Sequence, residues 1–288
     1  MITEKRCIVQ FTHPGGEHKP NRGEDYIRWN KGKHKRKFML TNGDYVENEK
    51  IVKDELLLFW GEWEPDSKVF KRLKKTIGDF PKYIYSPLIH NIPNDKRQNT
   101  DPFIFSEEFY YFCCKQTKSN GQITQLAKLA NGSIILFGST INQGKNDSYF
   151  ALDTVFVVRD YLEYNSSNYQ EKLKGKVSDD FFNISIESVY HSFEYSRCYI
   201  GANFTNKTED MYSFVPCQKY KNDSIGFERV KLTNNDFNFI TNNLNTAPKL
   251  NKELSSEINF FEVWNKLRII IKNQGFIEGL NFSFTKQF

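Results

Sequence analysis

Two histidines, His13 and His18, bracket a glycine pair, Gly15-Gly16, in the run HPGGEHKPNRGED. Adjacent glycines let a backbone approach a ligand closely and turn its amide N–H groups outward, which suits a phosphate. Behind them, Lys19, Arg22, Arg28, Lys31, Lys33, Lys35, Arg36 and Lys37 stand against only Glu24 and Asp25, with Tyr26 and Trp29 interleaved. Basic groups hold phosphates, and aromatic rings stack on bases for about 1–3 kcal/mol each. Gly15, Gly16, Arg22, Arg28, Trp29, Lys33 and Arg36 are therefore the expected phosphate or nucleic-acid contacts. The bland alternative is a solvated basic loop. His13, His18 and His34 match no zinc spacing, so the sequence assigns no metal.

The stretch FWGEWEPDS, residues 59–67, is the second place for chemistry. On a strand, Trp60, Glu62 and Glu64 would share one face and Trp63 the other. A carboxylate beside indole rings can have a raised pKa and act as general acid or base. The same carboxylate could accept hydrogen bonds from a base edge while a Trp forms the stacking wall. Glu62 and Glu64 are thus the candidate acid/base groups, with His13 or His18 assisting. Trp60, Trp63, Asp101 and Asp153 are the candidate base pocket. Asp101 sits in RQNTDPF, a turn that structure alone explains well. Asp153 lies inside the apolar run YFALDTVFVV; a buried carboxylate is costly unless paired, so it must meet an Arg or Lys or line the pocket.

Other chemistry is missing. The chain has no GxxxxGK[ST], no strand–GxGxxG–helix unit, no HExxH and no GxSxG, so it offers no P-loop, common serine hydrolase or recognisable cofactor site. The five cysteines show no CxxC spacing, and their odd number without a signal peptide fits a reducing cytoplasm. No apolar run approaches the ~20 residues that span a bilayer.

The elements that must position these residues read as mostly β. Aromatic residues make up 16% of 288, led by 26 Phe and 15 Tyr, and aromatic residues favour strands. RCIVQFT, KFML, ELLLFWGEW, SIILF and YFALDTVFVV read as strands. Asn42-Gly43 reads as a tight hairpin turn. PFIFSEEFYYFCCKQ reads as a hairpin with a polar tip. SKVFKRLKKTI (67–77) reads as a short basic amphipathic helix or turn, QITQLAKLA (122–130) as a short helix, and 81–101 as a long loop. The clearest helix runs from Ser255 to Asn273, with Ile258, Phe261, Trp264 or Leu267, and Ile271 on one face and Gly275 as its stop. The expected fold is α+β, one domain over 1–288, with a boundary or insertion near 160–182.

GSIILFGS followed by YFALDTVFVVRDYLEY, within residues 132–164, resembles the late core of PUA-like domains of the EVE and ASCH type. There a Gly-initiated turn leads into one strand, and a second strand follows with a polar, aromatic tail. This chain departs by having Ser133 where those domains carry Asp, and by a long polar loop between the strands. The resemblance implies a small bent β-barrel that holds a flipped or modified base in an aromatic pocket. It also implies a setting, a bacterial pathway of nucleic-acid modification or antiphage defence.

The net charge of +5 is a mild bias towards anionic partners, short of a DNA-coating protein. The first expectation is a nucleic-acid or nucleotide-binding protein. The second is an enzyme of glycosidase or transferase type acting on a nucleotide or base. The third is a scaffold subunit that works with a protein partner.

Overall fold

The structure is a computed structural model that describes residues 3–29, 34–74, 78–92, 97–142, 148–189, 194–223, 225–240, 249–250 (backbone) and 259–287. The strands in chain order are β1 (Ile8–Thr12), β2 (Tyr26–Ile27), β3 (Lys37–Glu47), β4 (Lys50–Gly61), β5 (Ser67–Arg72), β6 (Tyr83–Ile89), β7 (Tyr110–Tyr111) and β8 (Ile134–Asn142). They continue as β9 (Ser148–Tyr164), β10 (Ser196–Gly201), β11 (Val215–Lys219), β12 (Val230–Leu232), β13 (Lys249–Leu250), β14 (Ile277–Leu280) and β15 (Thr285–Lys286). Helices α1 (Tyr169–Leu173) and α2 (Asp179–Phe181) are short; α3 (Phe260–Asn273) is the long one. The α+β expectation, β-dominated with a C-terminal helix, holds.

Two sheets form. One runs β13-β1-β8-β9-β10-β7, with β12 also on β9; the other runs β14-β11-β4-β3-β6-β5-β2, with β15 also on β6. Most pairs are antiparallel; β1–β8, β3–β6 and β15–β6 are parallel. In the second sheet β14 pairs with both β11 and β3, so the pairings β3–β4–β11–β14 form a closed circuit. Aromatic side chains build much of the core: Phe11, Tyr111 and Phe137 meet at 5.0–5.7 Å between ring centres. No helix among the described residues is long and apolar enough to cross a membrane.

Several local expectations fail for identifiable reasons. The segment from Ser67 is strand β5, not a helix or turn: Ser67 and Val69 are buried while Lys68 and Phe70 are exposed, a period of two. The supposed loop 81–101 contains β6, even though it holds Pro87. The turn of the first long hairpin lies at Asn48-Glu49, which adopt φ of 51° and 55°. Asn42-Gly43 instead sits inside β3 at a register shift, where a Cβ on Gly43 would stand 3.1 Å from Leu280 O. Residues 122–130 yield only one 3-10 turn, Gln125–Lys128. On α3 it is Phe260, not the half-exposed Phe261, that joins Trp264, Leu267 and Ile271 inside; Ile258 lies outside the described residues. The expected hairpin at 132–164 does form, as β8 and β9.

The β8–β9 pair fixes the floor of the site discussed next, and Gly138 is its tightest point. A Cβ there would lie 2.2 Å from Ala151 O and 2.7 Å from the Phe150 ring. Gly138→Ala is expected to destabilise the fold by about 3 kcal/mol, the upper range for overpacking. Gly16→Ala, where a Cβ would meet nothing within 4 Å, is expected to be near neutral. Chemical denaturation of both variants checks this; equal midpoints would contradict it.

Candidate functional site

β1 delivers His13 to the junction of the two sheets. Its amide continues the ladder by donating to Gly138 O at 2.7 Å. Its ring stands edge-on to Phe11 at 4.6 Å. The chain then crosses β8 so closely that a Cβ on Gly15 would lie 2.9 Å from Ser139 Cβ. Gly16 O next accepts from Arg36 N, and His18 N donates to Arg36 O. The glycine turn is therefore zipped to the residue just before β3.

β4 ends at Gly61, and the following residues turn inward. Glu62 becomes the hub. Its Oε2 accepts from Arg36 Nη1 at 2.6 Å and lies 3.1 Å from His13 Nδ1; its Oε1 lies 3.1 Å from His34 Nδ1. The same His34 nitrogen is 3.3 Å from Glu64 Oε1. The Glu62 and Glu64 side chains are buried, whereas that of His34 is 27% exposed and forms the outlet.

Residues 98–101 brace this hub. Thr100 Oγ1 accepts from Glu64 N at 3.1 Å, and Asp101 N faces Glu62 Oε1 at 3.4 Å. Asp101's carboxylate in turn accepts the amides of Phe112 and Cys114 at 3.1 and 3.0 Å. That places Cys113 Sγ 3.8 Å from Asp101 Oδ2 and 4.0 Å from Cys114 Sγ.

Charge continues inward from Arg36. Its Nε lies 2.8 Å from Asp153 Oδ2 on β9. Arg229 lies 3.5 Å from Asp153 and binds Asp79 through two contacts of 2.7 Å. Asp153 thus meets two arginines, one of the two outcomes expected for it, and lies on this ladder.

Proton affinities follow from these contacts. Burial would raise Glu62, but the positive His34 and the hydrogen bonds from both histidines outweigh it and hold the carboxyl well below its usual range. Burial would lower His34, yet Glu62 and Glu64 carry it up to about 11. Burial dominates at His13, which falls to about 4 despite Glu62. Burial also raises Glu64, and lifts Asp101 to about 6 with help from the charge of Glu62. Lys37, fully buried against Pro65 O and Ser67 Oγ, drops to about 8 for the same reason.

Some expected site residues lie elsewhere. Trp60 and Trp63 are core residues, 3% and 0% exposed, with indole N–H groups donating to Phe227 O and Asp66 O, so their rings are packed inside and not presented to a ligand. Arg36 is 1% exposed, so it is an internal ion-pair partner and not a surface phosphate clamp. His18's ring nitrogens have no hydrogen-bond partner among the described residues, and burial lowers its pKa to about 3. Arg22 is exposed, and Lys33 lies outside the described residues. Sequence reasoning did not place His34, Arg229, Asp79 or the two cysteines here. The Cys113-Cys114 pair and the third histidine were the only local signals.

Beside the hub lies a surface hollow of about 550 Å³ lined by Tyr26, Arg28, Trp29, Asp66, His90 and Arg97, among others. Trp29 is fixed there by its amide, which donates to Asp66 Oδ1 at 2.6 Å, and by its indole, which donates to Gln98 O at 3.0 Å. No protein-family model matches the chain, and no curated protein or solved structure matches it either. The site has to be read from its own geometry.

Two outcomes follow. Arg36→Met would remove the closest cation from the buried carboxylates of Glu62 and Asp153, so a loss of about 3–5 kcal/mol is expected in denaturant titration; a smaller loss than for a surface Arg variant would contradict the ladder. Glu17 accepts the amides of Lys82 and Tyr83, yet burial raises its pKa to about 7. Unfolded, it ionises near its ordinary 4.5, so the folded state loses stability as pH rises from there to about 7, and the loss persists above. Glu17→Gln should therefore raise the melting temperature clearly at pH 8 and little at pH 5.

Proposed function

We propose that this chain binds a nucleotide or a nucleic-acid segment in the hollow between Tyr26, Trp29, Arg28 and Arg97. The observation that carries this reading is the meeting of two ring systems and two guanidinium groups around one hollow. Rings accept a base by stacking, and guanidinium groups pair with phosphate oxygens in a planar, two-pronged manner. Exposed basic residues continue outward from the hollow: Arg22 and Lys19 precede it on the same segment. The PUA-like likeness of residues 132–164 is part of this reading, including its barrel and its modified-base ligand, and the β8–β9 hairpin supports it. Free cysteines fit a reducing compartment, and we place the protein in the cytoplasm.

A second reading, that the protein is an enzyme on such a ligand, is favoured by the path between hollow and hub. Two chain segments join them. Residues 62–66 run from Glu62 to Asp66, and residues 97–101 run from Arg97 to Asp101, cross-linked through Thr100 Oγ1. A ligand held on Trp29 would therefore be connected to the Glu62–His34 group through two short, cross-linked stretches of backbone. In this reading Glu62 orients His34, the partly exposed member, towards the reacting bond. That differs from the expectation in which Glu62 itself meets substrate.

The test is a binding panel of nucleoside mono- and triphosphates and short single- and double-stranded DNA and RNA, with and without modified bases, at two salt concentrations. Arg28→Ala should weaken binding and flatten its salt dependence. Trp29→Ala should weaken it about 5- to 150-fold, the equivalent of one stacking contact. Absence of binding to every member at low salt, or unchanged affinity in both variants, sinks the proposal. Glu62→Gln then separates the readings: an enzyme loses turnover but keeps binding, and a binding module has no turnover to lose.

A further inference from the structure

We propose that His34 Nδ1, Glu62 Oε1 and Glu64 Oε1 together bind one divalent transition-metal ion of the zinc class. The inference rests on the reading of Glu62 as the hub, but on no particular nucleotide ligand.

The first argument is spacing. The three atoms lie within 4.8 Å of one another, and the two distances from His34 Nδ1 are 3.1 and 3.3 Å. Zinc binds imidazole nitrogen and carboxylate oxygen at about 2.0–2.2 Å, so neighbouring ligand atoms around it stand about 3–3.5 Å apart. Hydrogen bonding accounts for this triangle less well. His34 Nδ1 carries at most one proton, so it can serve the two carboxylates only through one shared, three-centre bond. Glu62 Oε1 and Glu64 Oε1 both face this one nitrogen.

The second argument is the support behind the triangle. His13 is 6% exposed, and its Nδ1 lies 3.1 Å from Glu62 Oε2. The outer oxygen of Glu62 is meanwhile held by Arg36 at 2.6 Å. That is how outer partners orient a ligating carboxylate. Arg36 is itself balanced by Asp153, so its charge is not spent on Glu62 alone.

The donor set selects the class of ion. One imidazole with two carboxylates suits zinc, cobalt, iron or manganese; magnesium and calcium prefer oxygen alone. Three protein ligands with one partly exposed His leave a coordination position facing outward, the pattern of a reactive and not a purely structural zinc site. The neighbouring Asp101, Cys113 and Cys114 form a second cluster of ligand types. There the Asp101 carboxylate is already taken by backbone amides, so the ion belongs on the His34 side.

The experiment uses the full chain, stripped by chelator and titrated with Co²⁺ and Zn²⁺. One equivalent should bind, visible as cobalt d–d absorption and by elemental analysis, and it should raise the melting temperature. His34→Ala and Glu64→Gln should weaken binding at least 10- to 100-fold and lose the metal-dependent rise, with metal-free melting as the check on folding. His18→Ala should bind like the parent. Substoichiometric binding, equal affinity in His34→Ala and Glu64→Gln, or an intense thiolate-to-cobalt band abolished by Cys113→Ser and Cys114→Ser would each overturn the assignment. Nucleotide binding measured in chelator is a separate readout, so its failure would count against the hollow and not against the ion.

Discussion

A buried guanidinium holds this protein's two sheets in register. Arg36 stands just before β3 of the second sheet and reaches Asp153 on β9 of the first, while its other edge takes Glu62. Taking such groups out of water costs several kcal/mol per ion, and the cost is recovered only when the geometry is good and the remaining donors are used. Arg36 meets that condition by serving two carboxylates from different edges of one planar group. Arg229 repeats the device one step along, between Asp153 and Asp79, and adds a bond to Ser139 Oγ. An apolar pair could hold two sheets together as well. It could not fix the orientation of Glu62, on which His13 and His34 both depend.

That dependence explains why so much charge is tolerated near an aromatic core. Glu62 and Glu64 follow the last residue of β4, and His13 the last of β1, so each acid or imidazole sits where a strand has just ended. Backbone groups released from the ladder are available there, and residues 98–101 use them, as the Thr100 and Asp101 contacts show. Inside a sheet the same carboxylates would have faced packed side chains with no donors in reach.

The β character, the β8–β9 hairpin and the C-terminal helix were legible because each depends on local pattern. β5 was misread because Val69, Phe70 and Leu73 also satisfy a helical spacing, and its lysines suit either structure. Only pairing with β6 decides it. Glu62 and Glu64 stood out because acids beside indoles are unusual. The inference that the indoles formed a pocket failed, since an aromatic residue at a strand end packs inward as readily as it walls a cleft. Trp63, against Phe105 and Phe284, does the former. His34, Cys114 and Arg229 come from distant points of the chain, and no local spacing brings them to Glu62. Arg36 was counted with its basic neighbours; a sequence cannot distinguish one inward arginine among outward ones.

The basic segment therefore has two faces with different tasks. Its early and middle part, Arg22 to Trp29, borders solvent and the hollow; its end, His34 to Lys37, turns inward and is spent on Glu62, Glu64, Asp153 and Ser67. The inward part accounts for the histidine and two of the cations that made the segment conspicuous. The outward part then carries a more modest charge, in line with a net charge of +5. On the proposed reading such a surface suits one phosphate-bearing ligand held beside a ring more than a long polyanion held along a groove. On the same reading a short ligand also matches the geometry behind it, because one seated on Trp29 would lie at the end of the two segments that lead to the buried hub.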